Sequence, residues 1–205
     1  MKKNSQHNTN KKLIGFVLVM ALVVVGALGI YYRYMKKQQT DSLVHTPTTE
    51  AEKLIAKDME IGYPETPTEV MKLWGRFNQC LYNTALDEEQ FTALLKQLRT
   101  MYSSDLLEQN PEESHRSKLE QEISQFQEDK GNIVSYSTET GKSVQYETIN
   151  DRECANIRIS YFINRNGSYA KSYQDFILVK ENDKWKILGF KEADTAGETK
   201  SEDEK

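Results

Sequence analysis

The chain has 205 residues, with 27 Lys and Arg against 31 Asp and Glu and a formal net charge of −4. Its 38% apolar content is unevenly placed: seventeen of those side chains fall in one uncharged run of twenty, residues 13–32, and what remains sustains one modest core, not two. From Asp41 onward 20 basic residues meet 31 acidic ones, a net of −11 that excludes a nucleic-acid-binding body, which needs Lys and Arg concentrated on one face.

Residues 1–12 form a basic tail containing Lys2, Lys3, Lys11 and Lys12. Residues 13–32 read LIGFVLVMALVVVGALGIYY. At about 1.5 Å per residue they match a hydrocarbon core about 30 Å thick. Gly15, Gly26 and Gly29 are tolerated there because lipid leaves the backbone no alternative to intrahelical hydrogen bonds. Tyr31, Tyr32 and Tyr34 mark the interface. A cleaved secretory signal is the competing reading. Against it, the run is longer than a signal core, and bulky Tyr-Tyr-Arg-Tyr-Met follows it where a small-residue cleavage site would stand. The expectation is an uncleaved signal-anchor with the lipid bilayer as its partner through residues 13–32. Four lysines precede the span, whereas Arg33, Lys36 and Lys37 follow it. That balance points to a cell-membrane protein with a cytoplasmic N-terminus and an extracellular C-terminal domain.

Residues 33–65 read as a polar juxtamembrane stalk. Within it Thr49 and Glu52 are spaced for a capping box ahead of Leu54, Ile55 and Met59. This helix either belongs to the stalk or is the first element of the domain, folded against the body by Leu54, Ile55 and Ile61. The domain itself, residues 66–192, opens at Thr66-Pro67-Thr68-Glu69, which combines a cap, a first-position proline and an acid in the first turn. Val70, Leu73, Trp74, Phe77 and Leu81 then recur at helical spacing and form a stripe that must be buried. A second helix opens at Asp87 with Gln90 at its third position and repeats the stripe with Phe91, Leu94, Leu95, Leu98 and Tyr102. A short turn at residues 105–109 continues the hairpin. Asn110-Pro111-Glu112-Glu113 starts a charged helix carrying Leu119, Ile123 and Phe126, ending near Gly131. His115, between Glu113 and Arg116, reads as a solvated surface residue.

After Gly131 the apolar period changes from helical to alternating and the residues become β-branched and aromatic. Asn150-Asp151, Asn166-Gly167 and Asn182-Asp183 recur every 16 residues, each suited to the positive φ angles of a two-residue hairpin. The expected meander runs through residues 133–137, 144–149, 152–165, 168–181 and 184–192. Two-residue loops fix the register: facing residues add to 333 across Asn166-Gly167 and to 365 across Asn182-Asp183. One face then collects Ile157, Ile159, Tyr161, Phe176, Leu178, Trp185 and Ile187. The other holds Phe162, Tyr173, Ile177, Leu188 and Phe190, with Arg158 opposite Asp175, unless a bulge shifts the pairing by one residue. The fold class is therefore α+β: a transmembrane helix, then helices packed on a curved antiparallel meander. Residues 193–205, ADTAGETKSEDEK, are too polar to order themselves and read as a disordered acidic tail.

The chemistry-bearing residues exclude several classes. Cys80 and Cys154 lie on a helix and a strand, as buried small hydrophobes or as a disulfide. There is no CxxC, and His7, His45 and His115 are scattered over tail, stalk and helix, so no metal is expected. No serine elbow, phosphate-binding glycine loop or dinucleotide turn is present, and no cofactor or catalytic residue is expected.

Helices followed by a bent meander ending in KWKILGF resemble the cone of the nuclear-transport-factor-2-like and ketosteroid-isomerase-like superfamily, also called cystatin-like, over residues 66–192. The anchor together with LIAKDMEIGYPETPTEVMKLWGRFNQCLYN, LLEQNPEES, YSTET and YFINRNGSYAKSYQDFILVKENDKWKILGF is similar to an uncharacterised family of membrane-anchored proteins from Gram-positive gut bacteria, carried as a domain of unknown function. The resemblance implies fold, location and lineage, and no activity. Enclosing a pocket is what such a cone offers, and Arg158, Asp175, Tyr161 and Tyr173 are the candidate ligand-binding residues. In an isomerase- or hydrolase-type enzyme, the alternative reading, they would handle protons. An Asp facing an Arg is instead held ionised as an ion pair, the opposite of a general acid. The reading carried forward is a non-enzymatic binding or scaffold domain whose partner is another envelope protein or a small ligand.

Overall fold

The structure, a computed structural model, describes residues 47–193. The expected membrane span, basic N-terminus and acidic tail lie outside the described residues, except that Ala193, the first residue of the expected tail, ends the last strand, paired with Tyr173. Among the described residues no helix is long and apolar enough to cross a membrane.

Five helices precede five strands among these residues. Helix α1 is Glu50–Ile55, α2 Pro67–Asn83, α3 Glu88–Arg99, α4 Ser104–Gln109 and α5 Glu112–Glu128. Strands β1 (Gly131–Thr138), β2 (Gln145–Ile149), β3 (Arg152–Arg165), β4 (Ser168–Glu181) and β5 (Lys184–Ala193) follow, so the domain is α+β.

Three helices begin on reciprocal caps. Thr49 with Glu52, Thr66 with Glu69 and Asp87 with Gln90 each form a capping box, and Pro67 occupies the first turn of α2. Each cap satisfies backbone donors that would otherwise lack partners and contributes about 1 kcal/mol. The apolar stripe of α2 is buried along its length, from Val70 to Leu81. Helix α1 takes the second of its two open roles. Ala51 and Leu54 are buried in the core, and Gln97 Nε2 on α3 donates to the Ile55 and Lys57 carbonyls at 2.8 and 3.1 Å. Ile61, expected to help fold this segment inward, is 91% exposed. The segment is held at Tyr63 instead, whose hydroxyl donates to the Trp185 carbonyl at 2.6 Å.

The sheet is antiparallel in the order β1-β3-β4-β5, with β2 pairing further along β3. Asn150, Asp151, Asn166, Gly167, Asn182 and Asp183 all have positive φ, which closes three two-residue hairpins. Pairing across Asn166-Gly167 follows the 333 register from Arg165↔Ser168 to Cys154↔Val179, and Arg158 faces Asp175. Across Asn182-Asp183 the 365 register holds as far as Leu178↔Ile187 and then shifts to Ile177↔Gly189. Leu188 is the extra residue of a bulge. The shift overturns one expectation: Phe190, assigned to the face of Tyr173 and Ile177, pairs with Phe176. Its ring stacks on Phe176 with centroids 4.9 Å apart and lies 5.7 Å from Trp74. A bulge moves every later side chain to the other face.

The inner face, with Ile157, Ile159, Tyr161, Phe176, Leu178, Trp185 and Ile187, is buried as expected. Helix α2 lies across it at closest approach to β1, where a Cβ on Gly75 would stand 2.3 Å from the Tyr136 ring. Beyond β5, Ile187 exchanges backbone hydrogen bonds with Met101 and Ser103 at 2.8 and 2.9 Å, which ties the end of the α3 segment to the sheet. Cys80 and Cys154 are both buried and free.

Candidate functional site

The outer face of the sheet carries half-buried residues, and at its centre lies a groove of about 590 Å³. Alternation along β3 and β4 brings Asn156, Arg158, Asp175 and Ile177 to this face. The bulge at Leu188 places Gly189 against Ile177 and Lys191 against Asp175. Glu139 and Ser143, from the connection between β1 and β2, form one wall with Gln145, the first residue of β2, and Ile157, Phe176 and Phe190 complete the lining. Gly189 leaves the floor open, because a Cβ there would meet only an Ile177 methyl, at 4.0 Å.

The centre of the groove is an ion pair. Arg158 Nε and Nη2 donate to Asp175 Oδ1 and Oδ2 at 2.6 and 2.9 Å, with each side chain 33% exposed. Two parallel charge-assisted bonds orient both groups. The hydrogen bonds from Arg158 hold the Asp175 carboxyl below the usual carboxylate range, and burial opposes them only in part. Arg158 is in turn raised, first by its bond to Asp175. The guanidinium carbon also lies 5.9 Å from the Tyr173 ring centroid. The second carboxylate, Glu139, accepts from the Arg158 backbone N–H at 3.0 Å, and its own N–H donates to the Arg158 carbonyl at 3.0 Å. With Lys191, the lining holds two cations and two carboxylates.

Of the four residues singled out in the sequence, Arg158, Asp175 and Tyr173 meet on this face. Tyr161 does not join them. It lies on the inner face, where its hydroxyl accepts from Asn78 Nδ2 at 3.3 Å and burial pushes the phenol well above its usual range. Glu139, Gln145 and Lys191 escaped sequence reasoning: the first lies in a connection without periodicity, the second opens the short strand β2, whose place beside β3 the sequence did not single out, and the third depends on the bulge. Gly189 inside a strand pattern was the available signal, since an interior glycine often marks a bulge or an open floor.

His115 is also not where the sequence placed it. It is half-buried between the end of α3 and the segment after it, with Nδ1 3.2 Å from Arg99 Nη1 and Nε2 3.5 Å from the Tyr102 hydroxyl. Arg99 closes α3 and Tyr102 lies in the short link that follows it, and no helical periodicity in α5 announces contact with either.

These features define a small α+β domain with helices on one side of an antiparallel sheet and a charge-balanced groove on the other. The chain belongs to the family described as domain of unknown function DUF6715, which matches residues 1–190. No curated protein and no solved structure matches it.

Proposed function

We propose that the protein is a single-pass membrane protein whose extracellular cone domain, of the nuclear-transport-factor-2-like and ketosteroid-isomerase-like type, binds a partner in the outer-face groove without chemical turnover. The lineage that its motifs resemble, membrane-anchored proteins of Gram-positive gut bacteria, belongs to the same proposal. The observation that carries the binding reading is the state of the two groove carboxylates. Asp175 is engaged by both arms of Arg158, and Glu139 is engaged by the Arg158 backbone. Acid–base work needs a carboxyl whose proton affinity is lifted toward neutrality, and Asp175 is moved the other way. Fixed dipoles, the apolar Ile177 and the open floor at Gly189 suit a neutral, partly apolar guest such as an extended peptide of another envelope protein or a small ligand.

The anchoring half rests on the twenty uncharged residues 13–32. Labelling of a Glu108→Cys variant with a membrane-impermeant maleimide tests it, since Cys80 and Cys154 are buried and give little background. The expected result is modification in intact cells, in the membrane fraction. Modification only after lysis, or recovery in the soluble fraction, refutes the proposal.

A further inference from the structure

Helix α5 is held less firmly than α2, although the two are the same length. Only Leu119, Ile123 and Phe126 of its residues are buried, and its N-cap Pro111 makes no side-chain capping bond. Besides the loose Glu112–Arg99 ion pair at 3.9 Å, its N-terminal half is attached by two adjacent polar side chains. Arg116 reaches Thr92 Oγ1 at 2.8 Å and Glu88 Oε1 at 2.5 Å, with its guanidinium 5.3 Å from the Phe91 ring centroid. His115 reaches Arg99 and Tyr102.

The His115 contacts dictate its proton. A guanidinium has five N–H donors and no lone pair to offer. Arg99 Nη1, 3.2 Å away, can therefore only donate, so His115 Nδ1 is the acceptor and the ring proton sits on Nε2, directed at the Tyr102 hydroxyl oxygen. A second ring proton would have to go on Nδ1. It would point an N–H at an N–H and set two positive charges face to face. The surroundings offer little relief. Arg99 Nη1 also donates to the Asn110 carbonyl at 2.9 Å, and Lys118 adds positive charge from α5 itself. The acid facing this group is Glu112, 3.9 Å from Arg99 Nε with its side chain 65% exposed.

We infer that His115 is an acid-sensitive latch, which joins the first turns of α5 to Arg99 and Tyr102 while neutral and releases them once protonated. Burial, Arg99 and Lys118 all lower the proton affinity of the docked imidazole. The undocked imidazole has its ordinary value near 6.5. Docking is then at full strength above that value, weakens as pH falls through it, and stops weakening only below the depressed docked value.

Amide hydrogen exchange of the full chain in mild detergent, at about pH 7.5 and about pH 5.3 and normalised for intrinsic rates, reads the latch. Amides of residues 112–119 gain severalfold in opening relative to those of residues 70–81, because the docked imidazole binds its proton less readily than the undocked one. In His115→Gln the amide oxygen accepts from Arg99 at either pH, so the gain disappears. The imidazole C–H resonances of unmodified His115 titrate below 6.5. Equal change in α2 and α5, an unaltered pH response in His115→Gln, or titration at or above 6.5 would each overturn the latch. The titration decides the matter even if the variant folds poorly.

Discussion

Replacing Asp175 with Asn tests the groove where its chemistry is most specific. Asparagine keeps the shape and one acceptor for Arg158 Nε but gives up the negative charge and the second strong bond, now 2.9 Å from Nη2. Exposed ion pairs contribute about 0–1 kcal/mol, and breaking a fully buried pair costs about 3–5 kcal/mol. With both side chains 33% exposed, solvent screening places this pair between those limits, at about 1–2 kcal/mol. Lys191, opposite Asp175 on β5, adds a second favourable charge. The sign with pH follows from the depressed carboxyl. The folded state holds fewer protons than the unfolded chain, so the stabilisation is complete above the ordinary value of 3.8 and is lost as pH falls through the lower folded value. Urea unfolding of the full chain in detergent at about pH 7 should show the variant about 1–2 kcal/mol less stable, or about 3–8 °C lower in Tm. The difference should shrink steadily below about pH 4. A variant as stable as or more stable than the parent at neutral pH would mean that Asp175 is a strained or protonated carboxyl, and the argument for an ionised pair would fail.

Two further substitutions probe how the body is assembled. Gly75→Ala should destabilise by about 1–3 kcal/mol although alanine is the better helix former, because its methyl would overlap the Tyr136 ring; thermal melts should show the loss reversed by adding Tyr136→Ser. Tyr63→Phe leaves the Trp185 carbonyl without its 2.6 Å donor and should cost about 1–2 kcal/mol, seen in denaturant titration together with faster amide exchange around residues 57–63.

What could be read in advance follows from how locally each feature is encoded. A two-residue hairpin needs positive φ at both positions, and Asn-Asp or Asn-Gly supplies it within the loop itself, so the turns and the Arg158–Asp175 pairing were legible. Capping boxes are likewise encoded within four residues. The bulge at Leu188 was not placed, because Gly189 hints at an irregularity in Lys-Ile-Leu-Gly-Phe but only pairing with Ile177 shows which residue is the extra one. Phe190 therefore changed faces, and Lys191 came to stand opposite Asp175. Glu139 approaches the groove from a connection whose only regular feature is the turn Gly141–Ser143, and Gln145 from the start of β2 just beyond it. His115 looked solvated because charged neighbours surround it in sequence, whereas Arg99 and Tyr102 surround it in space. Helix α1 could pack or stand apart, and the burial of Ala51 and Leu54 decided between the two.

The most direct test of groove binding is site-specific photo-crosslinking in intact cells, with the photoreactive residue at Gln145 in the groove wall and, as a control, at exposed Glu120 on α5. The proposal predicts a discrete adduct from Gln145 that is absent from Glu120. It also predicts suppression by Gly189→Leu, which fills the open floor without disturbing the backbone. Equal adducts from both positions, or a Gln145 adduct indifferent to Gly189→Leu, would contradict it.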